Sequence, residues 1–229
     1  MTSHVRVAIL EDHQSIIDGY CFRLSSVPQI KIVGQAYNGA ELEELLQKTT
    51  VDVLLLDLNV PVSEESDAPI PVLHLVPTLL ERYPRMGILV ITMLDEAALI
   101  RALVDVGIRG YISKEDSQSI QQLGRIVTMV ANGGIYFSQS AYRWLRGSHD
   151  RPQKQLLTLR QMEALSLCSA FPDDSTKKLA ERMGISSSTL RNLLSAAYVR
   201  LGVRTRMAAI LKARELGILT SIQEKNAER

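Results

Sequence analysis

Along the first 135 positions, short unbroken apolar runs alternate with segments whose apolar residues fall three and four apart. The runs at residues 5–10, 30–36, 53–57, 88–92 and 110–113 read as strands, and the segments at 14–26, 40–47, 72–82, 96–106 and 117–131 read as helices. Val53, Leu54, Leu55 and Leu56 form a run with no polar face, as in a strand covered on both sides. Five strands, each followed by a helix, predict a parallel sheet between two helical layers. Asn132-Gly-Gly134 closes the last helix. Within the third, Pro77 is expected to remove a backbone bond and either kink the helix or delay its start.

Beyond this point no strand pattern returns. A short helix is expected at 139–145, then a polar, unpatterned linker at 146–155, then helices at 160–169, 176–183, 187–201 and 204–216. The predicted organisation is an α/β domain at 1–133, a connecting helix and linker at 134–155, an all-α four-helix domain at 156–220 and a tail at 221–229. Gly184 ends one helix and Ser186 can cap the next, which gives a helix-turn-helix.

With 229 residues and 46% hydrophobic content, the chain can fill two ordinary cores. No stretch reaches the roughly 18 apolar residues that a membrane span needs, and the start lacks a signal-peptide run, so a cytoplasmic protein is expected. Cys21 and Cys168 have no metal-ligand spacing and read as reduced packing residues. The net charge of +1 hides a division. Residues 1–150 hold 12 Lys+Arg against 18 Asp+Glu, and residues 151–229 hold 14 against 7. A basic second part suggests a polyanionic partner, nucleic acid first among them, with a solvated surface as the alternative.

In an alternating fold of this kind, ligand sites lie beyond the carboxyl ends of the strands. Those ends carry Glu11 and Asp12, then Asp57, Thr92 and Lys114. Three clustered carboxylates require a positive partner, and an all-oxygen set suits Mg²⁺. With that charge neutralised, Asp57 could act as a nucleophile on phosphorus, while Lys114 and the Thr92 hydroxyl could meet the phosphoryl oxygens.

On these residues, positions 5–131 resemble the receiver domain of bacterial two-component response regulators. The resemblance implies a flavodoxin-like (βα)5 fold and phosphoryl transfer to Asp57 from a histidine kinase. It also implies Mg²⁺ at the Glu11–Asp12 acid pair, held by Asp12, Asp57 and the Asn59 backbone carbonyl, with Thr92 and Lys114 as signalling partners and Tyr111 as the aromatic switch. The segment Asp57-Leu-Asn-Val-Pro61 departs from the family pattern: Val60 replaces the usual Met, the following Gly is absent, and residues 62–71 make a longer, proline-rich loop containing Glu64, Glu65 and Asp67.

In the second part, Leu179, Ala180, Met183 and Ile185 form an apolar seam, with Lys177, Lys178, Ser187, Ser188 and Thr189 outside it as phosphate partners. The stretch from Leu157 to Arg206 is similar to the LuxR-type DNA-binding domain, and the two resemblances together imply the NarL/FixJ class. By that match Arg191, Asn192 and Ser195 face the bases of promoter DNA, while Arg200, Arg204 and Arg206 contact phosphate or buttress the fold. Leu193 stands where the family often has His, and Phe171-Pro-Asp-Asp174 replaces a Gly-containing turn. The class implies a non-enzymatic switch that dimerises on activation, with residues 208–216 as a helix of the dimer contact.

Three alternatives stay open on the sequence. A receiver signalling without phosphate would account for the altered loop. A phosphatase-like enzyme lacks the second acid two residues after Asp57, where Asn59 stands. A protein-binding helical domain would share the apolar seam.

Overall fold

The structure, a computed structural model, describes residues 4–94, 96–147 and 156–220. In chain order, the α/β part contains β1 (Val5–Leu10), α1 (Gln14–Ser25), β2 (Ile30–Ala36), α2 (Gly39–Lys48), β3 (Val53–Leu56), β4 (Pro61–Ser63), β5 (Ser66–Pro69), α3 (Val72–Arg82), β6 (Gly87–Thr92), α4 (Ala97–Val106), β7 (Gly110–Ser113), α5 (Ser117–Gln121), α6 (Leu123–Ala131) and β8 (Tyr136–Phe137). The helix α7 (Gln139–Gly147) follows, and then α8 (Leu159–Ala170), α9 (Thr176–Arg182), α10 (Ser187–Leu201) and α11 (Arg206–Glu215). Linker residues 148–155 and the tail 221–229 lie outside the described residues.

Six parallel strands form one sheet in the order β2-β1-β3-β6-β7-β8, the flavodoxin-like order with one strand added at the edge. Alternation along each strand divides the core. Val7, Ile9, Val53, Leu55, Leu89 and Ile91 pack beneath α1 and α6, while Ala8, Leu10, Leu54, Leu56, Ile88 and Val90 belong to the cluster of α2, α3 and α4. That two-sided burial is why the strands read as continuous apolar runs.

Several expectations need correction. The loop after Asp57 folds into a small antiparallel hairpin, β4–β5, with Ile70 N–H donating to the Val60 carbonyl at its base. Gly39 permits this packing, since a Cβ there would stand 3.0 Å from the Val62 carbonyl oxygen. The fifth helix breaks at Gln122 (φ −95°, ψ 13°) into α5 and α6, although the apolar spacing runs through the break. Pro77 does not delay α3, which begins at Val72. An interior proline costs about 3 kcal/mol or more, and the buried Val72, Leu73, Val76 and Leu79 each return roughly 1.5–3 kcal/mol.

The helical part is strongly capped. Thr158 and Gln161 form a capping box at α8, and Ser175, Ser186 and Thr205 cap α9, α10 and α11. Each such cap contributes about 1 kcal/mol. Gly184, at φ 63°, makes the left-handed turn between α9 and α10.

The two parts touch through α3 and α8. His74 Nδ1 lies 2.9 Å from Glu163 Oε1, and Arg160 Nη1 donates to Glu163 Oε2 at 2.8 Å. Burial pushes the Glu163 carboxyl up, but the hydrogen bonds from His74 and Arg160 outweigh it and leave the group below its ordinary value. A depressed carboxyl stabilises the fold above its unfolded pKa and loses that contribution as pH falls through its folded pKa. Glu163→Gln should therefore lower the thermal midpoint at neutral pH, by the equivalent of about 1–3 kcal/mol. Melting curves across the acid range should show the gap from wild type closing as the wild-type carboxyl protonates.

Candidate functional site

Strand register brings the predicted chemistry to one edge of the sheet. Leu10 pairs with Leu56 and Thr92 with Ser113, so Glu11, Asp57, Thr92 and Lys114 emerge side by side. Backbone bonds carry the ladder one step beyond the strands: Asp57 N–H donates to the Leu10 carbonyl at 3.0 Å, and Lys114 N–H to the Thr92 carbonyl at 2.9 Å.

At the centre stands a shared cation. Lys114 Nζ lies 2.7 Å from Asp57 Oδ2 and 2.6 Å from Glu11 Oε2, with Asp57 5% and Glu11 1% exposed. Asp57 Oδ1 accepts the backbone N–H groups of Leu58 at 2.7 Å and Asn59 at 3.3 Å. Burial, with the Asp57 charge beside it, raises the Glu11 carboxyl despite Lys114. Burial works against the Lys114 ammonium, but Asp57 and Glu11 prevail and hold it above the ordinary lysine value. Asp12 is half-buried and pairs with His13 Nδ1 at 2.7 Å.

Three carboxylates against one buried lysine leave the cluster with excess negative charge. Ligand atoms of Glu11, Asp12 and His13 lie within 4.8 Å of one another; the two carboxylates suit a hard divalent cation, the imidazole does not, and Asp57 is not part of that group. Beside them a cleft of ≈ 460 Å³ is lined by Asp57, Asn59, Thr92 and Lys114, together with His13 and Tyr20. Neither His13 nor Tyr20 was singled out from the sequence. His13 adjoins the acid pair and could have been flagged by position. Tyr20 lies on the buried stripe Ile17, Tyr20, Leu24, and periodicity reports only that its ring is core.

The switch candidates meet at one backbone position. Thr92 is fully buried and its Oγ1 accepts Leu94 N–H at 3.4 Å, while the Tyr111 hydroxyl donates to the Leu94 carbonyl. Tyr111 is fully buried.

In the helical part, Lys177, Lys178, Ser188, Thr189, Arg191, Asn192, Ser195, Arg200 and Arg204 are exposed and Ser187 is half-buried. Leu190, Leu194, Ala197 and Leu201 bury the other side of α10, leaving Arg191, Asn192 and Ser195 on its open face. Ser188 and Thr189 share the Ser186 hydroxyl at the helix start. Two arginines are tied into the fold: Arg200 bonds Gln161 Oε1 at 3.1 Å, and Arg206 bonds the Asp174 carbonyl at 3.2 Å. Among the described residues no helix is long and apolar enough to cross a membrane.

Comparison with known proteins agrees with this arrangement. The response regulator receiver domain matches residues 7–124. The chain is 27% identical to the transcriptional regulatory protein MctR of Rhizobium johnstonii, over 95% of this chain and 97% of that protein. It is 28% identical to the DNA-binding transcriptional activator DevR/DosR of Mycobacterium tuberculosis, over 93% and 95%. In fold it is similar to RcsB from Salmonella enterica serovar Typhimurium bound to promoter rprA in the presence of phosphomimetic BeF3-, with a TM-score of 0.63, 21% identity, and coverage of 92% of this chain and 98% of that one. With a receiver match over more than half its length and a full-length likeness that takes in the helical part, this chain belongs to the response regulator receiver domain family, in the two-domain form of the NarL/FixJ class.

Proposed function

We propose that the protein is a DNA-binding transcription factor switched by phosphorylation of Asp57, with a sensor histidine kinase as donor. The observation that carries this reading is the pairing of Asp57 with Lys114 at 2.7 Å, in an open cleft, on a chain that also exposes Arg191 and Asn192 on a capped helix. An Asp57 carboxylate oxygen attacks phosphorus, the phosphorus–nitrogen bond to the kinase histidine breaks, and that nitrogen keeps the electron pair. Asp12, Asp57 and the Asn59 backbone carbonyl, with Glu11 beside them, would hold Mg²⁺. When bound, the ion offsets the repulsion between the acid cluster and the phosphoryl donor.

The added group, about −1.5 to −2 by analogy with hydroxyl phosphates, offers new acceptors to Lys114 and to the Thr92 hydroxyl. If Thr92 turns towards them, Leu94 N–H loses an acceptor and the Leu94 carbonyl shifts under Tyr111. That is a local route to two discrete receiver states. A few kcal/mol of differential stabilisation moves such an equilibrium.

On the output side, Leu211 (56% exposed), within the expected dimer helix at 208–216, and Met207 (59%), just before it, stand one turn apart on α11 and suit the contact of a homodimer. Two copies would present two α10 helices to successive turns of promoter DNA. We place the protein in the cytoplasm, where its DNA is, and read it as a switch rather than a turnover enzyme.

Incubation with acetyl phosphate should retard wild-type protein on a phosphate-affinity gel and leave Asp57→Ala unmoved. Equal mobility of the two would favour control without phosphate. Arg191→Ala should weaken specific DNA binding by about 1–3 kcal/mol and relax preference at one base. Lys177→Ala should instead weaken all sequences alike and reduce the salt slope by about 0.9, read from binding isotherms at several salt concentrations.

A further inference from the structure

Where the α/β part and the helical part meet, the packing leaves a cavity of ≈ 380 Å³. Its walls come from α2, from Val62 and Ile70 of the segment that departs from the family pattern, from α3, and from α8 and α9. Most of that wall is apolar: Leu42, Leu46, Leu75 and Leu79 line it from one part, Leu167 and Phe171 from the other. A cavity of this size, at a junction, apolar with a few polar groups, is the usual setting of a small-molecule site.

The polar groups carry the sign of the ligand. Arg82 of α3 and Arg182 of α9 both line the cavity, one guanidinium from each part. Arg182 Cζ lies 3.6 Å from the centre of the Phe171 ring and Arg82 Cζ 5.5 Å from that of Tyr83, and both rings belong to the same wall. Neither guanidinium is fully engaged. Arg182 donates through Nε to Asp174 at 2.9 Å, which leaves its terminal amino groups without a hydrogen bond among the described residues. Arg82 has the exposed Glu43 at 3.9 Å, too far for a hydrogen bond, and an ion pair of that kind contributes little. The imidazole of His74, also on the wall, is taken up by Glu163.

We propose that this cavity binds a small amphipathic carboxylate, its apolar body against the leucines and Phe171 and its acid head paired with the guanidinium groups. Planar guanidinium donors match a carboxylate, and a wholly polar anion would leave the apolar wall unmatched. An occupant that touches both parts favours the arrangement in which they meet, so the site would give the chain a small-molecule input separate from Asp57.

The test is calorimetric titration of full-length protein with octanoate and with its neutral counterpart 1-octanol. Wild type should bind octanoate saturably and about tenfold more tightly than 1-octanol, the effect of a charge-assisted head-group contact. Replacing both arginines, Arg82→Gln with Arg182→Gln, should erase that preference and leave 1-octanol binding unchanged. Ala40→Trp fills the cavity from an exposed position on α2 and should abolish binding of both, and Thr78→Trp, exposed on α3, should do the same should the first variant fail to fold. Bound octanoate should also raise the melting temperature of wild type and not of the filled variant. Failure of wild type to bind octanoate saturably, equal affinity for the acid and the alcohol, or unchanged binding in both tryptophan variants would each overturn the proposal. None of these outcomes depends on phosphorylation.

Discussion

A single ammonium group, Lys114, stands between the buried carboxylates of Asp57 and Glu11, and the arrangement of the sheet is what holds the three together. Taking one partner from a buried ion pair costs about 3–5 kcal/mol, because the remaining charge is stranded. The cluster is therefore stable only while something positive stays near Asp57. That constraint makes it responsive. On the proposed function, a divalent cation would relieve the excess charge, and a phosphoryl group would compete for the same lysine.

The route from this cluster to the helical part begins in the segment that departs from the family pattern. Asp57 is followed by the fully buried Leu58 and Val60, and Val60 is tied by its carbonyl to Ile70 at the base of the β4–β5 hairpin. The hairpin lies on α2 and reaches α8, while α3, which starts two residues after Ile70, carries His74 to Glu163. The longer loop is thus a packed element between Asp57 and the helical part. Its length supplies contacts that a short turn could not reach.

Legibility in the sequence followed the range of the physics. The five strands and their terminal residues could be read because burial on both faces removes polar residues from the run, and chain order alone then places Glu11, Asp57, Thr92 and Lys114 on one edge. The helix-turn-helix could be read because its caps and its seam are local. The hairpin could not, since Pro61, Pro69, Pro71 and three acids resemble any polar loop until Gly39 and Ile70 are seen to receive it. The break at Gln122 leaves no mark on the spacing of Ile120, Leu123 and Val127. The His74–Glu163 contact joins positions 89 apart, and the Tyr20 hydroxyl is hidden behind a ring that counts as core.

The central claim is that charge added at Asp57 controls DNA binding by the same chain. It is tested most directly by fluorescence anisotropy of full-length protein on a promoter fragment, at fixed salt, with and without acetyl phosphate, for wild type and Asp57→Ala. The account predicts that acetyl phosphate tightens wild-type binding about 5- to 150-fold, the span of a coupling free energy of about 1–3 kcal/mol, and leaves Asp57→Ala unchanged. Equal affinity of wild type with and without the donor, once its phosphorylation is verified on a gel, would contradict it.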